Sequence, residues 1–223
     1  SQSRVSKSVS ALLLALLLGA CGGDSPESLI ASSKEYLAKN DSKAAVIQLK
    51  NALQQNPNLA EARFLLGTAL LDSGDLNGAE VELHKALDLK YSSDAVVPLL
   101  ANIMLAKGQA KKLIDDFGNT TLSSGEPLAA LKTSLSIAHA SLGKIDTARQ
   151  LLDAALVAKP DYAPAQLADI RQRIAAQDIQ AARSKIDALL VQQPTNPDAL
   201  LIKGSLLAAD GDLDGALTQY QKA

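Results

Sequence analysis

Pro57, Pro160 and Pro194 each follow a helical pattern, and a frame of 34 residues hung on them organises nearly the whole chain. With proline at position 32, the units are 26–59, 60–93, 94–127, 129–162 and 163–196, with a partial unit at 197–223. Leu128 is left over between the two blocks. Position 20 reads Ala45, Ala79, Ala148, Ala182 and Ala216. Position 27 reads Ala52, Ala86, Ala155 and Ala223, with Leu189 as the exception. Position 8 is small at Ser33, Gly67, Ala101, Ser136 and Gly204, with Ile170 as the outlier. Position 24 is large at Leu49, Leu83, Phe117, Leu152, Ile186 and Tyr220. Positions 15 and 16 read Asn40-Asp41, Gly74-Asp75, Gly143-Lys144, Gln177-Asp178 and Gly211-Asp212. Small residues thus recur where two helices would cross closely, and large apolar ones recur between them.

Alanine and leucine dominate the 47 % apolar content, and aromatics are sparse at 3 %, a bias toward helix over strand. Each unit reads as two helices of roughly 14 residues, each about 20 Å long. Glycine ends the first helix, and aspartate caps the second. One such hairpin cannot bury its apolar face alone, whereas stacked neighbours can.

This pattern resembles the tetratricopeptide repeat (TPR). The resemblance implies an all-α, right-handed superhelical solenoid with a concave groove lined by first helices. It also implies that positions 2, 5, 9, 12 and 13 of the first helix face that groove, of which 5, 9 and 12 supply the candidates. The candidate binding residues are Lys34, Leu37, Phe64, Thr68, Leu71, Asn102, Leu105, Ile137, Leu167, Arg171, Leu201 and Ser205. The stripe is apolar with spaced polar handles and suits an extended or helical partner segment docked through side-chain pockets. It lacks a dense Lys/Arg clamp for an acidic tail.

Repeats 1–2 occupy 26–93, and repeats 4–5 occupy 129–196. Repeat 3, at 94–128, is divergent. Its second helix, near Ala110–Phe117, is short and runs into the loop-forming stretch from Gly118 to Pro127. This is either a decayed repeat with a long loop or a hinge between two sub-arrays. The chain stops at Ala223 inside a second helix without a polar capping helix, so a longer array is expected.

Residues 1–20 read as an export signal: Arg4 and Lys7, then the apolar run Ala11–Leu18, then Gly19-Ala20. That run is about half the ~20 residues needed to span a bilayer. Leu18-Gly19-Ala20-Cys21 resembles the lipobox of bacterial lipoproteins, which implies lipidation of Cys21, the chain's single cysteine. Residues 21–25 form a short tether. Gly22 in place of Asp favours the outer over the inner membrane by the sorting rule of that family. Loss of Arg4 and Lys7 would take the formal charge from −2 to about −4. Such a balance argues against a nucleic-acid partner.

No catalytic constellation emerges. There are two histidines: His84, expected on an outer face, and His139, expected to be packed or groove-lining. No metal-ligand spacing and no phosphate-binding glycine loop is present. The reading is of a non-enzymatic protein with no cofactor, no metal and no small-molecule substrate.

A more particular likeness lies in the run Lys34–Leu53, in Glu61-Ala62-Arg63-Phe64-Leu65-Leu66-Gly67 and in Val97-Pro98-Leu99-Leu100-Ala101. Together with the lipobox, these resemble the TPR-repeat lipoproteins of the PEP-CTERM/exosortase system (PrsT-like). That resemblance implies a periplasm-facing, lipid-anchored scaffold in exopolysaccharide assembly or export, binding other envelope proteins through its groove. A pilotin or outer-membrane assembly lipoprotein is one alternative. A TPR appendage of a larger regulatory or enzymatic protein is another.

Overall fold

The computed structural model describes residues 24–223, so the export signal and Cys21 lie outside the described residues. Twelve α-helices and no strand occur among the described residues. They pair as hairpins. The first compact unit, ending at Leu89, holds α1 (Pro26–Ala38), α2 (Ser42–Gln55), α3 (Ala60–Asp72) and α4 (Leu76–Asp88). The second, from Lys90, holds α5 (Ser93–Ala106), α6 (Ala110–Phe117), α7 (Glu126–Ser141) and α8 (Ile145–Ala158), followed by α9 (Ala163–Ala175), α10 (Ile179–Gln192), α11 (Pro197–Ala209) and α12 (Leu213–Lys222).

Each hairpin turns on a residue in the left-handed region. Asn40, Gly74, Gly108, Gly143, Gln177 and Gly211 all have positive φ. In each of these turns the next residue's N–H reaches back to an orphan carbonyl of the first helix, as Asp75 N does to Leu70 O at 2.9 Å. The following aspartate then caps the second helix at three turns. Asp41, Asp75 and Asp212 accept from the N–H of Ala44, Gly78 and Gly215. Asp178 departs from the expected role: its carboxylate is bonded to Arg173 at 3.1 Å, and its side chain makes no cap.

The positions that recur as small residues are the helix crossings. Ala45, Ala79, Ala148 and Ala182 are fully buried, as are Ala52, Ala86 and Ala155. A Cβ added to Gly67 would stand 2.7 Å from Leu83 Cγ, and one on Gly204 would collide with the Tyr220 ring. Ser33 and Ser136 are also buried there. Their hydroxyls donate to Ile30 O and Ala148 O at 2.7 and 2.6 Å, so neither leaves an unpaired group. Leu49, Leu83, Leu152 and Ile186 fill the space between crossings.

The segment 118–125 lies inside the second unit and carries no helix. It is tied to α5: the Asp94 carboxylate accepts the Ser123 N–H at 2.9 Å, and Leu122 is buried. Hydrogen bonds from the Ser123 hydroxyl and N–H hold the Asp94 carboxyl below its ordinary pKa. α7 starts at Glu126, so Leu128 sits within its first turn.

Gln177 adopts φ 62°, where four of the other five turns place glycine. A side chain in that region costs about 1 kcal/mol or more, partly offset by the chain entropy that glycine would lose. Gln177→Gly is expected to raise stability by about 0.5–1 kcal/mol, read as a shift in the urea midpoint at unchanged slope. A lower midpoint would show that the turn does not carry this strain.

Candidate protein-binding groove

In the first unit, α1 and α3 carry five of the expected groove residues. Lys34 is exposed, and its Nζ stands 2.7 Å from Glu61 of α3. Both side chains are about half exposed, so this pair contributes little to stability. Leu37, Phe64, Thr68 and Leu71 are half-buried. The Thr68 hydroxyl donates to Leu65 O at 2.9 Å.

The second unit carries the rest on α5, α7, α9 and α11. Asn102 is exposed, and its Oδ1 accepts from the Ser134 hydroxyl at 3.0 Å, while Leu105 is half-buried. Leu201 is exposed at the start of α11. The Ser205 hydroxyl donates back to Leu201 O at 3.0 Å and lies 3.4 Å from the Tyr220 hydroxyl. Leu167 is placed differently from the expectation. It is only 5 % exposed and packs with Ile170, Ile186 and Leu206 in the core of this unit. It therefore supports α9 from beneath and has little surface to give a partner.

Ile137 and Arg171 are brought together. They line a cleft of about 540 Å³ between the C-terminal halves of α7 and α9 and the start of α8. Ala140, Ala168 and Ala175 share its lining, so the floor is apolar and shallow. Ile137 is 43 % exposed, so its apolar surface is open to an occupant of the cleft. Arg171 sits at the rim, paired at 3.1 Å with Asp198 in a solvent-exposed bridge that a competing carboxylate could replace. Arg149 of α8 also contributes to the lining. The cleft has the usual composition of a ligand site, apolar walls with a few convergent polar groups.

Sequence reasoning missed Arg149, because it lies on a second helix, outside the positions expected to face the groove. It also missed Gln172, whose Nε2 donates to the Ser136 hydroxyl at 2.9 Å and so links α9 to α7 beneath the cleft. The largest omission is Asp169. It is buried, with Lys185 at 2.9 Å, Arg173 at 3.2 Å and Arg149 at 3.9 Å. Burial opposes the Arg173 charge, but Asp169 and Asp178 hold its pKa above the ordinary value. The register offers the signal: position 7 is Leu66, Leu100 and Leu135 in the three preceding units.

His139 is half-buried, with its Nδ1 unpartnered among the described residues. Burial, aided by Lys144, holds its pKa below 6.5. His84 is half-buried rather than fully outward. Among the described residues no cluster of His, Cys, Asp or Glu could hold a metal ion, and no helix is long and apolar enough to cross a membrane.

Known proteins agree with this architecture. The tetratricopeptide repeat family matches residues 36–103 and 170–223, which together make up more than half of the chain. No curated protein matches it in sequence. Among solved structures, a tetratricopeptide repeat protein from Parabacteroides merdae is 19 % identical with a TM-score of 0.68, over 90 % of this chain and 79 % of that one. PilW, a widely conserved type IV pilus biogenesis factor, is 17 % identical with a TM-score of 0.69, over 87 % and 90 % of the two chains. YrrB, a TPR protein with an unusual peptide-binding site, is 17 % identical with a TM-score of 0.57, over 79 % and 91 %. At these identities the likeness is one of fold. The repeat register, the twelve helices and the two family matches make this chain a tetratricopeptide repeat protein.

Proposed function

We propose that this chain is a lipid-anchored scaffold of the bacterial envelope that binds segments of other proteins through its first helices, and that it does no chemistry of its own. The observation that carries the binding reading is the cleft between α7 and α9, where an exposed Ile137 and a rim arginine, Arg171, meet over an alanine floor. Apolar pockets of this size take one or a few side chains of a docked segment, and spaced polar groups set its register. YrrB offers a precedent for a peptide-binding site on a TPR protein. The likeness to PilW transfers no role in pilus assembly at 17 % identity.

The anchor and the setting rest on the sequence. Leu18-Gly19-Ala20-Cys21 supplies a lipidation signal, and Gly22 favours the outer membrane. The resemblance of the first repeats to PEP-CTERM/exosortase lipoproteins suggests exopolysaccharide assembly or export as the process served. The partners are then envelope proteins met on the periplasmic side.

Two experiments test this reading. Peptides selected from a displayed random library against the whole chain should bind at the cleft. Ile137→Asp and Arg171→Glu should each weaken them at least about tenfold, roughly 1.4 kcal/mol, at unchanged helicity by circular dichroism. Val157→Asp, on the strongly exposed end of α8, should leave binding intact. Equal affinity in all variants would remove the cleft as the binding surface. Separately, Cys21→Ser expressed in a Gram-negative host should abolish labelling by a fatty-acid probe, and persistent labelling would refute the anchor.

A further inference from the structure

The cleft between α7 and α9 carries charge of one sign. Pairing position 21 of each second helix with position 9 of the next first helix gives Val46 with Thr68, Glu80 with Asn102, Ile114 with Ile137, Arg149 with Arg171 and Arg183 with Ser205. At the junction of α8 and α9, and at no other, both residues are basic. The fold brings those two arginines into one lining, with Ile137 and Ile145 beside them and an alanine floor below. No carboxylate belongs to that lining.

Neither guanidinium is firmly neutralised from within. The Arg149 side chain is 37 % exposed, and its nearest carboxylate among the described residues is that of Asp169, at 3.9 Å, beyond hydrogen-bond distance. Asp169 is already engaged by Lys185 at 2.9 Å and by Arg173 at 3.2 Å. Arg149 thus brings an under-neutralised charge and a fork of N–H donors to the cleft wall. Arg171 has Asp198 at 3.1 Å, but both side chains are more than half exposed, so the bridge is weak and exchangeable. Arg183, at the same register position as Arg149 one repeat on, is satisfied differently: it is paired with Asp210 and donates to Leu206 O. A cationic occupant of the cleft would be repelled by both arginines. A wholly apolar one would strip water from them and offer no acceptor. A small free anion would make no use of Ile137, Ile145 or the alanine floor.

Building on the groove reading, we propose that this cleft selects an acidic–apolar segment of a partner protein, one in which a glutamate or aspartate side chain stands beside a leucine or isoleucine. The carboxylate accepts charge-assisted hydrogen bonds from the guanidiniums and takes the place of Asp198 on Arg171. The apolar neighbour covers Ile137 and the alanine floor, which keeps water from the charged pair.

The probes are three dansyl-labelled peptides, GSLLXLLSG-amide, in which X is glutamate, glutamine or lysine. Titrated against the whole chain, the glutamate form should bind at least about fivefold tighter than the glutamine form, with the lysine form weakest. High salt should narrow that preference. Arg149→Gln and Arg171→Gln should each bring the glutamate-to-glutamine ratio toward one and leave the affinity of the glutamine peptide unchanged. Should Arg149→Gln lose helicity, the exposed Arg171 decides alone. Arg183→Gln removes the same charge one repeat on and should leave the ratio as it is. Equal affinity for the glutamate and lysine peptides, or a ratio that survives Arg171→Gln, would overturn the assignment. If those equal affinities are still weakened by Ile137→Asp, the groove reading stands and this one alone falls. If no peptide responds to Ile137→Asp, both fall.

Discussion

The close crossing of two helices through alanine, glycine or serine is the contact on which the rest of this structure depends. A helix pair separated only by such small side chains excludes water along its seam. It also leaves a regular gap that one leucine can fill. Ala45, Ala79, Ala148 and Ala182 make the crossings, and Leu49, Leu83, Leu152 and Ile186 fill the gaps, each fully buried or nearly so. Within each unit, hairpins that take this step present neighbouring hairpins with the surface they need. Stability then accumulates from repeat to repeat within a unit.

The functional surfaces follow from where that rule leaves side chains over. First helices that pack at positions 7 and 8 present positions 9, 12 and 13 to the outside, and in the second unit this brings Ile137 and Arg171 into one cleft. In α9 a buried carboxylate, Asp169, has three cationic neighbours. Replacing a core leucine by aspartate is costly unless the charge is paired. Arg149, Arg173 and Lys185, drawn from α8, α9 and α10, supply the pairing.

Much of this was legible in the sequence, because a repeat prints its own internal control. The turns at Gly74, Gly143 and Gly211 and the caps at Asp41, Asp75 and Asp212 follow from local backbone chemistry, which needs only neighbouring residues. The crossing alanines follow from a spacing that five of the six units share, Leu113 standing in the third. Side chains whose roles depend on a neighbouring repeat were less legible. Leu167 holds a groove position by count yet packs in the core with Ile170, Ile186 and Leu206. Asp178 looks like a cap but is captured by Arg173. Arg149 reaches the cleft from a second helix. Asp169 departs from the leucine of its register position, and only the structure shows that departure to be a buried charge cluster.

The most direct test of the crossing rule places one long charged side chain inside a seam and another just outside it. Urea unfolding of Ala79→Arg should lose at least about 2 kcal/mol relative to the parent, because the guanidinium would have to enter a filled, apolar crossing. Val81→Arg, two residues on and half exposed on the same helix, should remain within about 0.5 kcal/mol of it. Equal stability of the two variants would contradict the account.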